Sequence, residues 1–221
     1  MGIDGKRITG YCLDMKQRIY KLCLALLTVS VLVAPMAGCT SKTSDSTLQW
    51  TAPPEMQIDQ SRTYYAIFDT SLGSFKVELF ASESPQTVNN FVFLAKQKFY
   101  DGVIFHRIME TFMIQSGDPT GIGIGGPGYT IPDELPIKHP YDPGIIAMAN
   151  KNEPNSAGSQ FFICTGTALN RNPVYTQFGR VVEGMDVVMQ IAGVEVGASA
   201  SGEHSRPIDP PVINSITIEE I

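Results

Sequence analysis

Phe105-His106-Arg107-Ile108-Met109-Glu110-Thr111-Phe112-Met113-Ile114-Gln115-Ser116-Gly117-Asp118 holds two short apolar runs, each with a polar side chain set among hydrophobic ones. Read as strands over Val103–Ile108 and Phe112–Gln115, their side chains alternate between faces. Arg107 then faces opposite to His106 and Ile108, and Met113 shares a face with Gln115. The arrangement recurs downstream. Asn150 ends Ile146-Ala147-Met148-Ala149-Asn150, and Gln160 precedes Phe161-Phe162-Ile163. A solvated strand position accounts for each of these polar residues taken alone.

Working outward, the flanking segments are also β-like. Tyr65, Ile67 and Asp69 alternate with Ala66, Phe68 and Thr70. After Leu72-Gly73, Phe75, Val77 and Leu79 alternate with Lys76, Glu78 and Phe80. Two period-2 runs around a Gly turn predict a β-hairpin. Ser84-Pro85 then predicts a helix start, Ser as N-cap and Pro at the first helical position. Val88, Phe91, Val92 and Ala95 fall on one helical face, and Asp101-Gly102 marks a turn beyond its end. Further strands are expected over Ile145–Met148, Gln160–Cys164, Phe178–Val182 and Val212–Ile218, with a second helix over about Met185–Ile191. The expected fold is mostly β: a closed eight-stranded antiparallel barrel capped by two helices, spanning residues 63–221.

Among 221 residues there are 16 Lys and Arg against 22 Asp and Glu, a net charge of −6. That balance argues against nucleic acid as a partner, since phosphate neutralisation needs a basic surface. The N-terminus has a different character. Lys16, Arg18 and Lys21 precede a run from Leu22 to Ala34 that is apolar apart from Thr28 and Ser30. At about 13 residues it falls short of the roughly 20 needed to span a bilayer. A cationic start, a short apolar stretch and small residues before a cut point describe a secretory signal over residues 1–38, with translation starting at Met1 or Met15. Met36-Ala37-Gly38-Cys39 resembles the lipobox of bacterial lipoproteins, although Met36 stands where Leu is usual. The resemblance implies cleavage before Cys39 and its diacylation; an uncleaved anchor with Cys39 an ordinary thiol is the alternative. Residues 39–62, with Pro53-Pro54 and no apolar periodicity, read as a flexible tether. Cleavage would leave 11 basic and 20 acidic side chains, net −9, so a lipid and not charge would hold the protein at a membrane.

Cys12 and Cys23 would leave with the signal and Cys39 would carry lipid, so Cys164 would stand alone, a small buried hydrophobe. Gly121, Gly123 and Gly126 match G-x-G-x-x-G, but Pro127-Gly128 follows where a dinucleotide site needs a helix, so the stretch reads as a loop. His106, His139 and His204 are too scattered for a metal site, and no G-x-S-x-G elbow is present. Neither metal nor cofactor is expected.

Phe105–Ile108, Phe112–Asp118, Gly125-Gly126-Pro127-Gly128-Tyr129, Met148-Ala149-Asn150, Ser156-Ala157-Gly158-Ser159-Gln160-Phe161-Phe162-Ile163 and Phe178-Gly179-Arg180-Val181-Val182-Glu183-Gly184-Met185 together resemble the cyclophilins. They come in that family's order and spacing across about residues 63–221. The resemblance implies peptidyl-prolyl cis–trans isomerase activity, with Arg107 as the catalytic arginine. It implies a proline pocket of Phe112, Met113 and Phe162, closed by Leu169, and a peptide groove containing Gln115, Ala149, Asn150 and Gln160. Tyr175 stands where a His is common, and Lys151 where a small residue is usual. The partners implied are proline-containing polypeptides, bound by a monomer lipid-anchored to a bacterial membrane with its domain facing the periplasm or cell exterior.

Those residue types suit that chemistry. Rotation about X–Pro meets a barrier of roughly 18–20 kcal/mol because amide resonance is lost. At the twisted state the prolyl nitrogen becomes pyramidal and able to accept a hydrogen bond. A guanidinium is always charged and only donates, so it can favour the twisted state over the planar one. A binding module that holds proline segments without turnover would need the apolar pocket but not Arg107.

Overall fold

The structure, a computed structural model, describes residues 48–168 and 174–221. The signal-like segment, Cys39 and Leu169 lie outside the described residues. Among the described residues ten strands and two helices follow in chain order: β1 (Tyr64–Thr70), β2 (Gly73–Leu79), α1 (Pro85–Lys96), β3 (Arg107–Met109), β4 (Met113–Ser116), β5 (Ile145–Met148), β6 (Phe161–Cys164), β7 (Gln177–Glu183), α2 (Met185–Ala192), β8 (Val196–Ala198), β9 (His204–Pro207) and β10 (Ile213–Glu220). The hairpin forms where the alternation predicts it. Tyr64, Ala66, Phe68 and Thr70 point inward, and Thr70 pairs with Gly73 across a two-residue turn.

Eight strands make one antiparallel sheet in the order β10-β1-β2-β7-β5-β6-β4-β3. The sheet curls but stays open, which corrects the expectation of a closed barrel. Between its edges run a single bridge, Ile104 to Val212, and the flanking backbone bonds Gly102 N–H to Ile213 O, Ile213 N–H to Val103 O and Phe105 N–H to Pro211 O. The ladder cannot lengthen there, because Pro210 and Pro211 have no N–H to donate.

The concave side packs Phe68, Phe161 and Phe178 against Phe91 of α1, with ring centroids 5.1–6.0 Å apart. A second cluster, including Met113, Ala147, Phe162, Cys164 and Tyr141, covers the opposite face of β4, β5 and β6. These strands are therefore apolar on both sides and show little alternation.

Ser84 occupies the N-cap position of α1, but its hydroxyl donates to Gln177 O at 2.6 Å and caps nothing. Glu134 supplies the cap from 48 residues away. Its carboxylate accepts from Gln86 N–H (3.0 Å), Thr87 N–H (2.9 Å) and the Thr87 hydroxyl (2.7 Å). Residues 48–62, read from sequence as part of a tether, lie against the domain. Trp50 packs edge-on to Phe93 at 5.2 Å, and Asn89 Oδ1 accepts from Gln57 N–H (2.8 Å) and Ile58 N–H (3.3 Å). Apolar contact and side-chain capping order this segment without any secondary structure. Among the described residues no helix is long and apolar enough to cross a membrane.

Candidate active site

Strand register assembles the site. Arg107 of β3 pairs with Gln115 of β4, Gln115 with Phe162 of β6, and Phe162 with Ala147 of β5. Directly paired residues share a face, so the four side chains form one row across four strands. Met113, two residues before Gln115, joins that face. A cavity of about 350 Å³ opens over the row, lined by Arg107, Phe112, Met113, Gln115, Ala149, Asn150, Asn152, Phe162 and Tyr175. Phe162 is almost fully buried and meets the Tyr175 ring edge-on at 5.3 Å. Tyr175 is itself fixed by Tyr141, whose hydroxyl donates to Tyr175 O at 2.6 Å and accepts from its N–H at 3.0 Å.

Eight of the residues singled out from sequence thus meet at one cavity. Gln160 lies one step along, lining an adjoining groove of about 710 Å³ that shares Gln115, Ala149 and Asn150 with the first. The glutamines link the two: Gln115 Nε2 donates to Gln160 Oε1 at 3.0 Å, and Gln160 Nε2 to Gly125 O at 2.9 Å. The Gly-rich stretch is a loop, as expected. The buried Asp118 carboxylate folds it by accepting from the backbone N–H and hydroxyl of Thr120 and from Gly123 N–H.

Sequence reading missed the partner that holds Arg107. Glu203, just before β9, takes the guanidinium in a two-point grip, Nε to Oε2 at 2.6 Å and Nη2 to Oε1 at 2.8 Å. The hydrogen bond from Arg107, aided by Ser205, lowers the Glu203 pKa to about 2. The remaining nitrogen, Nη1, faces Gln115 Oε1 at 3.5 Å and Met113 Sδ at 3.8 Å, on the cavity side. No motif marks Glu203, because β8 and β9 form a separate short hairpin with no apolar alternation. Asn152, with φ +59°, was also missed. Burial keeps the His106 imidazole below its ordinary 6.5, and burial pushes the Cys164 thiol up to about 12. At neutral pH the thiol therefore stays protonated and the buried imidazole uncharged. Among the described residues no cluster of His, Cys, Asp and Glu could hold a metal ion.

Known proteins resemble the chain in sequence and in fold. Residues 65–218 match the family described as cyclophilin type peptidyl-prolyl cis-trans isomerase/CLD. Peptidyl-prolyl cis-trans isomerase A of Mycobacterium tuberculosis is 41% identical over 172 residues, covering 71% of this chain and 92% of the relative. Peptidyl-prolyl cis-trans isomerase-like 1 of Aspergillus oryzae is 43% identical over 159 residues, covering 69% and 94%. The crystal structure of a cyclophilin type isomerase of Cryptosporidium parvum superposes with a TM-score of 0.65 at 34% identity, covering 71% of this chain and 98% of that one. The same protein solved in the presence of the dipeptide Ala-Pro gives 0.64. The chain belongs to the cyclophilin-type peptidyl-prolyl cis–trans isomerases.

Proposed function

We propose that this isomerase acts on exported polypeptides, held to a bacterial membrane by lipid on Cys39, with Arg107 as its catalytic residue. The observation that carries the catalytic part is the row Arg107–Gln115–Phe162–Ala147 under a cavity walled by the apolar side chains of Phe112, Met113 and Phe162. Phe112, Met113 and Phe162 hold the ring by apolar contact, while the carbonyl that precedes it turns. No covalent bond forms or breaks. As the amide twists, the prolyl nitrogen loses conjugation and accepts a hydrogen bond from Arg107 Nη1. That donor gains strength only in the twisted state, which is the condition for lowering the barrier. Glu203 holds the opposite edge of the guanidinium, so the donor is aimed before substrate arrives and needs no reorganisation during the step. Because the barrier is conformational, the cycle requires no proton transfer.

The export and anchoring part is supported by the charged start, the short apolar run and Met36-Ala37-Gly38-Cys39. Its test is metabolic labelling with palmitate. Wild-type protein incorporates label and Cys39→Ser does not; equal labelling of both removes Cys39 as the anchor. For substrate class, exchange spectroscopy on an Ala-Pro peptide gives the cis–trans rate with and without protein. Acceleration is expected, and binding of the peptide without acceleration would leave only a holding function.

A further inference from the structure

The segment Gln49–Ile58 precedes the family-matched span, which begins at residue 65, yet its first residue, Gln49, lines the larger groove. Trp50 N–H donates to Pro127 O at 2.8 Å, and Gln49 Nε2 donates to Gly126 O at 3.0 Å. Gly128 shows how closely the two chains approach. It has φ +94°, and a Cβ there would sit 2.5 Å from Trp50 O. Below, the Trp50 ring is wedged against Phe93 and Phe99, at 5.2 and 6.0 Å. Further along, Asn89 Nδ2 donates to Glu55 O at 3.0 Å while its Oδ1 receives Gln57 and Ile58. The strap is thus tied to α1 at one end and to the loop Gly125–Gly128 at the other.

That loop is one wall of the 710 Å³ groove, and exposed Gln49 lines the groove directly. Lys151 and Ser156 stand among the other lining residues, and Gln115 and Gln160 join the groove to the Arg107 cavity. The two cavities share Gln115, Ala149 and Asn150, so a polypeptide with its proline over Phe162 has this groove open to the residues beside it. We infer that the strap Gln49–Ile58 is part of the substrate-recognition surface: Trp50 anchors the groove wall, and Gln49 is a specificity-determining residue for the residues that flank proline. The inference rests on the isomerase reading of the neighbouring cavity. The ligand it implies is an extended polypeptide several residues longer than X–Pro.

The test compares two probes on the full chain, a capped Ala-Pro dipeptide and a ten-residue peptide with Ala-Pro at its centre. Affinity from NMR titration and kcat/KM from exchange spectroscopy are measured for wild type, Gln49→Ala, Trp50→Ala and Trp50→Phe. Loss of one hydrogen-bonding contact predicts that the long-to-short affinity ratio falls about threefold to tenfold in Gln49→Ala. Trp50→Ala should lower it at least as much, with the change in KM and not kcat, and Trp50→Phe should restore part of it. A long-to-short ratio changed by less than threefold in both alanine variants would overturn the inference, as would a wild-type ratio near one. Should wild type bind both probes and accelerate neither, the isomerase reading fails instead, and the affinity ratios alone decide the role of the strap. Because Trp50 is the only tryptophan, its fluorescence checks independently that Gln49→Ala keeps the strap docked.

Discussion

Replacing Glu203 by alanine removes both charge-assisted hydrogen bonds that fix Arg107 and leaves the guanidinium with Gln115 at 3.5 Å and the sulfurs of Met109 and Met113. The pair is about one-third exposed on each side, so its contribution to stability is screened. A cost of about 0.2–1 kcal/mol is expected, too little to unfold the domain. The catalytic cost is larger. Misplacing a reacting group by about 1 Å can cost on the order of 100-fold, and Gln115 still restrains one nitrogen. We therefore expect kcat/KM to fall about 10-fold in Glu203→Ala, or about 1.4 kcal/mol, almost all in kcat. Glu203→Gln, whose amide oxygen can still accept from Nε, should fall between the two. The assay is exchange spectroscopy on an X–Pro peptide, with circular dichroism as the folding control. A folded Glu203→Ala with kcat within twofold of wild type, or above it, would refute the positioning role. The pH dependence follows from the same contact. A lowered folded-state pKa means that the stabilisation is complete above the ordinary glutamate value of about 4.5 and is lost as pH falls through about 2. With His106 also shifted downward, kcat/KM should be level from about pH 7 to 9. A bell-shaped profile in that range would show that a titrating group takes part.

Three further outcomes are expected. Glu134→Ala strips the cap of α1 and leaves the fully buried Thr87 hydroxyl without its acceptor, which should cost about 2 kcal/mol and lower Tm by about 4–8 °C; calorimetry showing less than 1 °C would refute the cap. Phe162→Ala should destabilise the domain by about 3–5 kcal/mol and raise KM about 10-fold or more, since the ring is both core and pocket wall; urea titration beside kinetics checks both. Cys164, fully buried with its thiol pushed to about 12, should resist alkylation at pH 8 in the native state and react only on denaturation, as read by peptide mapping.

What could be read from the sequence depended on how local its cause was. The β1–β2 hairpin is written in strict alternation around Gly73, and both helices in their apolar faces and flanking Gly or Pro. Arg107 and Gln115 stood out because charged or amide groups inside apolar strands need a reason. Their juxtaposition is a matter of register between β3 and β4, which no single strand encodes. The groups that complete the site and cap α1 came from far along the chain. Glu203 lies 96 residues from Arg107 on a hairpin too short for periodicity, and Glu134 caps a helix 48 residues before it. Residues 48–62 read as tether because composition registers no period, whereas their order comes from one indole and one asparagine meeting α1. The open edge beside β10 did carry a signal in Pro210-Pro211, since proline ends a ladder wherever it must donate.

The central claim, that Arg107 stabilises the twisted amide, is tested most directly by Arg107→Ala in an X–Pro exchange assay, with peptide affinity and circular dichroism measured in parallel. Donation to the prolyl nitrogen predicts kcat/KM lowered on the order of 100-fold, about 2.7 kcal/mol, with peptide affinity changed far less and the fold intact. A folded Arg107→Ala that turns over X–Pro peptide within threefold of wild type would contradict it.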